Sequence, residues 1–423
     1  LILLLFLTSR AMAQGNGDGS IYSRFGLGEL RTYASPQMQG MGSLGLALGS
    51  SQYANMVNPA SWSDQYFTRL AAGLLYEGLT ATDANQNRTR LTAGSLNAIH
   101  ASFPLKSGKM GVAFALTPYS RVNYQVEVED HLIDPFLGDT TGYTIAFEGG
   151  GGLQQLTGGL GYRFNRYISA GAAFNFLFGI QEETQRTVFD GSDYQSSNLV
   201  TSTRMEGFGG TVGVRVQLPQ VFRTSDALSL GVLLSLPVTL DGTRVRTLGE
   251  NLATDTLAQA IEGTVELPLR AGLGLAYQPD TRLLVVADAL YEPWSDFESS
   301  LSFPGYVAGS ATTFQDRRRF SVGVEYFPAG RDPLAGYLRL IAWRLGVAYD
   351  ATYASPNPDV PIRSLSLATG VSLPTRIATS RIDLNFEVGT RGTTDDGLIR
   401  DRFYRIGANL NFGERWFTKT RLR

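Results

Sequence analysis

Over much of its length the chain alternates apolar and polar residues with a period of two. Near the C-terminus Ile382, Leu384, Phe386 and Val388 alternate with Arg381, Asp383, Asn385 and Glu387. In the following run Tyr404, Ile406, Ala408, Leu410 and Phe412 alternate with Arg405, Gly407, Asn409 and Asn411. Phe320, Val322, Val324 and Tyr326 stand against Ser321, Gly323 and Glu325 in the same way. Ala271, Leu273, Leu275 and Tyr277 stand against Arg270, Gly272, Gly274 and Gln278. A strand sends successive side chains to opposite faces, so each run has one greasy and one wet face. The pattern predicts strands near 68–81, 95–105, 110–128, 142–164, 167–188, 199–218, 226–240, 261–278, 281–294, 316–327, 338–353, 363–373, 379–391 and 402–413, about 14 in all.

A soluble β-sandwich alternates too, so the connections decide. Those at 82–94, 129–141, 189–198, 241–260, 295–315, 354–362 and 392–401 are long and polar. Those at 106–109, 165–166, 219–225, 279–280 and 374–378 are short and carry turn residues. The stretch 328–337 breaks the rule by its length. Long loops on one rim and short turns on the other, with an even strand number, are the pattern of outer-membrane barrels. The expectation is an all-β protein, a transmembrane antiparallel β-barrel of about 14 strands. Aromatics near strand ends (Tyr277, Tyr291, Trp294, Tyr326, Phe327, Trp343, Tyr349 and Tyr353) suit interfacial girdles, although packing beside turns also gathers rings there.

Composition narrows the functions. The 36 basic and 38 acidic residues give a net charge of -2, with no footprint for nucleic acid. Cysteine is absent, which excludes thiolate chemistry, thiolate metal sites and disulfides. No metal and no cofactor is expected. The opening LILLLFLTSRAMAQ holds an apolar run, Leu1–Leu7, and a small-x-small site at Ala11-Met12-Ala13. It reads as the end of a secretory signal lacking its charged start, with cleavage after Ala13. No later run reaches about 18 consecutive apolar residues, so any membrane crossing is made by strands.

Residues 14–66 lack barrel periodicity. PQMQGMGSLGLALGSSQYANMVNPASWSD is rich in small residues with Met38, Met41, Leu44, Leu46 and Leu48 interspersed. Such a segment suits a compact plug in the lumen; a disordered leader gains nothing from so many apolar residues. The division expected is 1–13 signal, 14–66 hatch, 67–413 barrel and 414–423 tail. Asn58-Pro59 fits an N-cap followed by a first helical residue, a rigid turn pinning the plug to the first strand, or a plain corner.

The run Met38 to Ser61, with Asn58, Pro59 and Ala60 near its end, resembles the N-terminal hatch of FadL-type outer-membrane transporters of long-chain fatty acids and aromatic hydrocarbons. IEGTVELPLRAGLGLAYQPDTRLLVVADALYEPW, Ile261 to Trp294, resembles their paired late strands, and IYSRFGLGEL, Ile21 to Leu30, is similar to Bacteroidetes–Rhodothermota members. The resemblance implies 14 strands, a plug, and lateral release of an apolar ligand through a gap made by a kinked third strand. Here that strand holds Pro118, which cannot donate to the ladder. Pro118 is therefore the candidate gate, unless it lies where the strand leaves the bilayer. The chain departs from many outer-membrane proteins in running past Phe412 through Trp416 and Phe417 to a basic tail, Lys419 to Arg423, so a terminal aromatic for the barrel assembly machinery is displaced.

No catalytic constellation emerges. His100 and Ser102 share a face without a supporting acid, and His131 lies in a loop. Gly149–Gly152 precedes no helix, so it is no phosphate loop. The expectation is no enzyme but a channel for passive uptake of hydrophobic small molecules in the outer membrane of a Gram-negative-type bacterium, past a lipopolysaccharide layer that apolar solutes cross poorly. Arg282, Leu284, Val286 and Leu290 are the candidate lumen contacts, aliphatics for the ligand body and Arg282 for a carboxylate; alternatively they pack the plug. The rival from another class is an accessory barrel of a protein secretion or surface-attachment system, with a protein partner and no small-molecule cargo.

Overall fold

The structure is a computed structural model that describes residues 19–133, 140–190, 195–249, 256–257, 259–310, 312, 314–332, 334–354, 356–357, 360–377 and 379–414. The signal segment and the aromatic and basic tail lie outside the described residues. The strands are β1 (Thr68–Thr82), β2 (Arg88–Lys106), β3 in two halves (Met110–Pro118 and Tyr124–Ile133), β4 (Thr140–Arg163), β5 (Ile168–Phe189) and β6 (Ser197–Pro219). Then come β7 (Ala227–Ser235 and Val238–Leu248), β8 (Ile261–Leu267 and Arg270–Gln278), β9 (Leu283–Glu292) and β10 (Arg317–Tyr326). Last are β11 (Ala342–Ala351), β12 (Arg363–Pro374), β13 (Arg381–Arg391) and β14 (Arg400–Glu414). Successive strands pair antiparallel, and β14 returns to β1 from Thr68↔Glu414 to Thr82↔Arg400, closing a 14-strand barrel.

The alternation faces outward as the sequence implies. Leu74, Phe174, Phe208, Leu273 and Leu345 each expose more than half of their surface, whereas Arg69, Asp288, Arg344, Asp383 and Asn409 are buried on the inner face. An apolar outside and a polar inside is the arrangement a bilayer demands of a barrel. Several expected loops are shorter than their sequences suggest. β1 and β2 run on past 82–94 to leave only residues 83–87 between them, and β7 continues to Leu248 inside 241–260. Polar, glycine-containing stretches above the bilayer stay in the ladder because water tolerates their side chains. The stretch expected as a continuous strand over 110–128 is interrupted after Pro118. Of the aromatics near strand ends, Tyr291, Tyr326 and Trp343 face outward, but Trp294 and Tyr353 are buried against each other with ring centroids 4.1 Å apart.

Residues 19–67 pack against the inner faces of the strands, and several of their contacts fall on glycines. A turn of 3₁₀ helix, Pro59–Asp64, is capped by Asn58, whose Oδ1 accepts from Ala60 N at 3.0 Å. It lies on Gly111, Gly161, Gly171 and Gly213, neighbours in register on β3, β4, β5 and β6. A methyl group at any of these would overlap Trp62, Pro59 or Asn58. Higher up, Asp288 of β9 accepts from the backbone N–H groups of Leu44, Gly45 and Leu46 at 3.1, 2.7 and 2.9 Å and from Ser43 Oγ at 2.5 Å. Across the lumen Tyr53 donates to Asp383 at 2.8 Å, and Arg344 bridges Asp383 and Glu325 at 2.8 and 2.7 Å. The hatch thus supplies the partners that buried polar wall residues need.

Candidate functional site: a broken wall beside a lumen cavity

Pro118 ends the first half of β3 opposite Gln154. Proline offers no N–H to the ladder, and the chain beyond it turns inward. Ser120–Arg121 forms a short antiparallel pair with Glu29–Leu30 of the hatch, in register Glu29↔Arg121 and Leu30↔Ser120. Arg31 N donates to Tyr119 O at 2.8 Å, and Ser23 Oγ both accepts from Asn123 N at 3.0 Å and donates to Asn123 O at 2.8 Å. On the other side Tyr119 N and Val122 N reach Leu153 O and Gly151 O at 2.8 and 2.9 Å. The backbone groups freed by the break are thereby satisfied by the plug and by β4.

The run Gly149–Gly152 lies within β4. Gly151 and Gly152 have φ of +93° and +126°, a region that side chains resist. A Cβ on Gly152 would strike Ser120 O. The glycines make room for the inward turn, so they and Pro118 form one device from two strands.

The break opens the wall. Ile99–Lys106 of β2 pairs with Met110–Leu116 of β3, but Arg88–Ala98 pairs only with β1 and Tyr124–Ile133 only with β4. Among the described residues no backbone pairing joins these two edges. Behind them lies a cavity of about 1570 Å³. Leu30, Tyr33, Leu116, Pro118, Phe178 and Phe403 supply its apolar lining. The cavity also touches Leu74 and Leu96, which face outward from β1 and β2, so it reaches the outer surface beside the broken strand.

One side of the cavity is charged. Glu29 receives Arg31 at 3.0 Å, Arg405 at 2.8 Å and Arg391 at 2.5 Å. Glu77 receives Arg31 at 2.7 Å, Arg405 at 2.8 Å and Arg121 at 3.8 Å. Burial alone would raise the Glu29 carboxyl, but Arg31, Arg391 and Arg405 hold it well below the usual range. The hatch strand that braces the break is thus also tied to β13 and β14. Over the long-loop mouth, Trp294, Phe297, Phe303, Tyr306, Phe314 and Tyr353 pack on Leu27 of the hatch. Tyr353 Oη accepts from Leu27 N at 3.0 Å and donates to Gly28 O at 2.8 Å.

The residues singled out from sequence separate into two sets. Pro118 lies on the cavity, whereas Asn58, Pro59 and Ala60 do not line it and seat the hatch on Gly161, Gly171 and Gly213, with Asn58 Nδ2 donating to Leu46 O at 2.6 Å. Leu284 and Val286 pack on Met38 and Met41, and Leu290 packs on Leu44 and Leu46. Arg282 is exposed at the short-turn rim. None of Arg282, Leu284, Val286 and Leu290 lines the cavity, because the hatch residues Met38, Met41, Leu44 and Leu46 cover the inner aliphatics of β9. His100 approaches Tyr33 Oη at 3.3 Å, and Ser102 donates to Gln65 at 3.3 Å, so each hydroxyl or ring serves the hatch. Glu29, Glu77, Arg391 and Arg405 were not singled out. Their signal was available: Glu77 and Arg405 are charged residues at inner-face positions of alternating runs.

The fold has solved counterparts. It resembles a Pseudomonas aeruginosa FadL homologue with a TM-score of 0.58 at 14% identity, over 91% of this chain and 99% of that one. The Ralstonia pickettii toluene transporter TbuX gives 0.54 at 15% identity over 91% and 99%. The Pseudomonas putida toluene transporter TodX gives 0.53 at 14% identity over 92% and 100%. At such identities the likeness is one of fold. No curated relative matches the sequence. The family model BamG matches residues 1–423, the full length given, and the chain belongs to the BamG family.

Proposed function

We propose that this barrel lets hydrophobic or amphipathic small molecules cross the outer membrane of a Gram-negative-type bacterium, and that they leave sideways through the break after Pro118. The observation that supports the reading most is the cavity of about 1570 Å³ that meets an unpaired stretch of wall. An apolar solute entering bilayer there avoids the aqueous exit that a polar lumen would impose. The guanidinium groups of Arg31, Arg121 and Arg405 border the same cavity and suit an acidic head on an apolar body. The solved counterparts named for toluene transport point the same way.

The family name carries a second reading, an accessory barrel serving barrel assembly, secretion or surface attachment, with a protein partner. Gentle purification separates the two. Co-purified lipid or fatty acid, lost from the Pro118→Val variant, supports transport. A stoichiometric protein partner with an empty lumen supports the accessory role and overturns the first reading.

A further inference from the structure

Arginines inside the barrel are partnered, and one group of arginines outside it has no carboxylate among the described residues. In the lumen Arg344 reaches Asp383, Arg317 reaches Asp350 and Arg405 reaches Glu77, while Arg69, Arg244 and Arg381 reach carbonyl and hydroxyl oxygens. On the outer face, Leu70, Leu74 and Tyr76 of β1 and Tyr404, Ile406 and Leu410 of β14 mark the even-numbered positions as lipid-facing. Tyr76 and Tyr404 stand together there with ring centroids 6.2 Å apart, an aromatic pair of the kind that suits a headgroup layer. Continuing along the same face away from the bilayer, the next rows read Arg90–Thr80–Arg402 and Arg88–Thr82–Arg400 across β2, β1 and β14.

Four guanidinium groups therefore sit in two adjacent rows on one outward face. Arg90 and Arg402 are two strand spacings apart, about 9–10 Å, and the rows are about 7 Å apart. No ion pair holds Arg88, Arg90, Arg400 or Arg402 among the described residues. Of the nearby loop acids, Asp83 takes Asn87 N and Nδ2, both at 2.8 Å, and Asp395 takes Thr393 Oγ1 at 2.5 Å. Arg400 donates to Thr394 Oγ1 at 3.5 Å. At the corresponding rim of β10, Arg318 is matched with Asp316 at 3.8 Å.

We infer that this patch binds the phosphate groups of the glycolipid in the outer leaflet. Like charges so close repel unless an anion lies between them, and planar guanidinium forks bind phosphate oxygens in pairs. The aromatic pair beneath would contact the first methylenes of the acyl chains while the arginines hold the head. Placed between β14 and the free edge of β2, the bound lipid would border the open stretch of wall. The inference rests on the long loops facing outward.

The test uses the whole barrel in detergent, followed by native mass spectrometry during titration with rough-type lipopolysaccharide, the same lipid after enzymatic dephosphorylation, and inorganic phosphate. The wild type retains the phosphorylated lipid and releases the dephosphorylated one. The R90Q/R402Q variant binds it at least tenfold more weakly, while R318Q matches the wild type. Equal binding by R90Q/R402Q, or an equal loss in R318Q, overturns the site. Displacement of the lipid by millimolar inorganic phosphate overturns the lipid assignment. Labelling of N85C by an impermeant maleimide on intact cells supports the orientation. Failure to label, with lipid binding in detergent intact, overturns the orientation and the outer-leaflet assignment with it, and leaves an anionic-lipid site on the other rim.

Discussion

The wall from β10 to β14 and the wall from β2 to β4 are built from similar residues and behave differently. In the first, each strand pairs on both sides through ten or so consecutive residues, from Arg318↔Ala351 to Arg391↔Asp401. Outer faces there are mainly apolar, and inner polar groups such as Asp383 and Asn409 are matched by the hatch. In the second, one proline and two glycines at positive φ end the ladder, and the chain pairs with the plug in place of its neighbour strand. The difference teaches that the plug is a structural partner of the wall. Where the wall is regular the hatch hydrogen-bonds to its inner polar groups; where the wall is broken the hatch completes it.

The regular region is the place for the largest effect. Ile406→Arg puts a guanidinium on the lipid face and should cost about 2–4 kcal/mol near the midplane. Asn409→Ala, three residues on and facing inward, loses one hydrogen bond to Gln39 and should cost about 1 kcal/mol. Chemical unfolding from detergent or bilayers compares them, and equal losses would contradict the facing of β14. Asp288→Ala leaves the N–H groups of Leu44, Gly45 and Leu46 without their acceptor, a loss of about 2 kcal/mol once water has partly replaced it. Limited proteolysis should then cut residues 40–50 while the barrel still resists heat in detergent. A hatch as resistant as the wild type would show that Asp288 does not anchor it. The smallest perturbation is topological. Epitopes in 249–260 or 295–315 should bind antibody on intact cells and epitopes at 165–166 should not, and the reverse result would invert the barrel.

How much of this was legible in the chain follows from range. The strand number and facing come from period-2 patterning over neighbours, and that held for every strand of the regular region. Pro118 was legible as a missing donor. The direction of the break was not, because it is set by Glu29 and Leu30, far away in sequence. Gly149–Gly152 looked featureless until its partner strand was known. Leu284, Val286 and Leu290 show the same limit: inner-face aliphatics read alike whether a ligand or the hatch covers them, and the hatch does. Loop 82–94 misled because threonine and arginine in a strand above the bilayer look like a loop.

The account turns on the break as an exit. Pro118→Val restores the missing donor and favours an extended strand that continues from β3 toward the free edge of β2. At equal surface abundance, uptake of a fluorescent long-chain fatty acid by cells carrying this variant should fall several-fold, with entry of small hydrophilic probes unchanged and heat resistance of the barrel kept. Fatty-acid uptake equal to that of the wild type would contradict lateral release at Pro118.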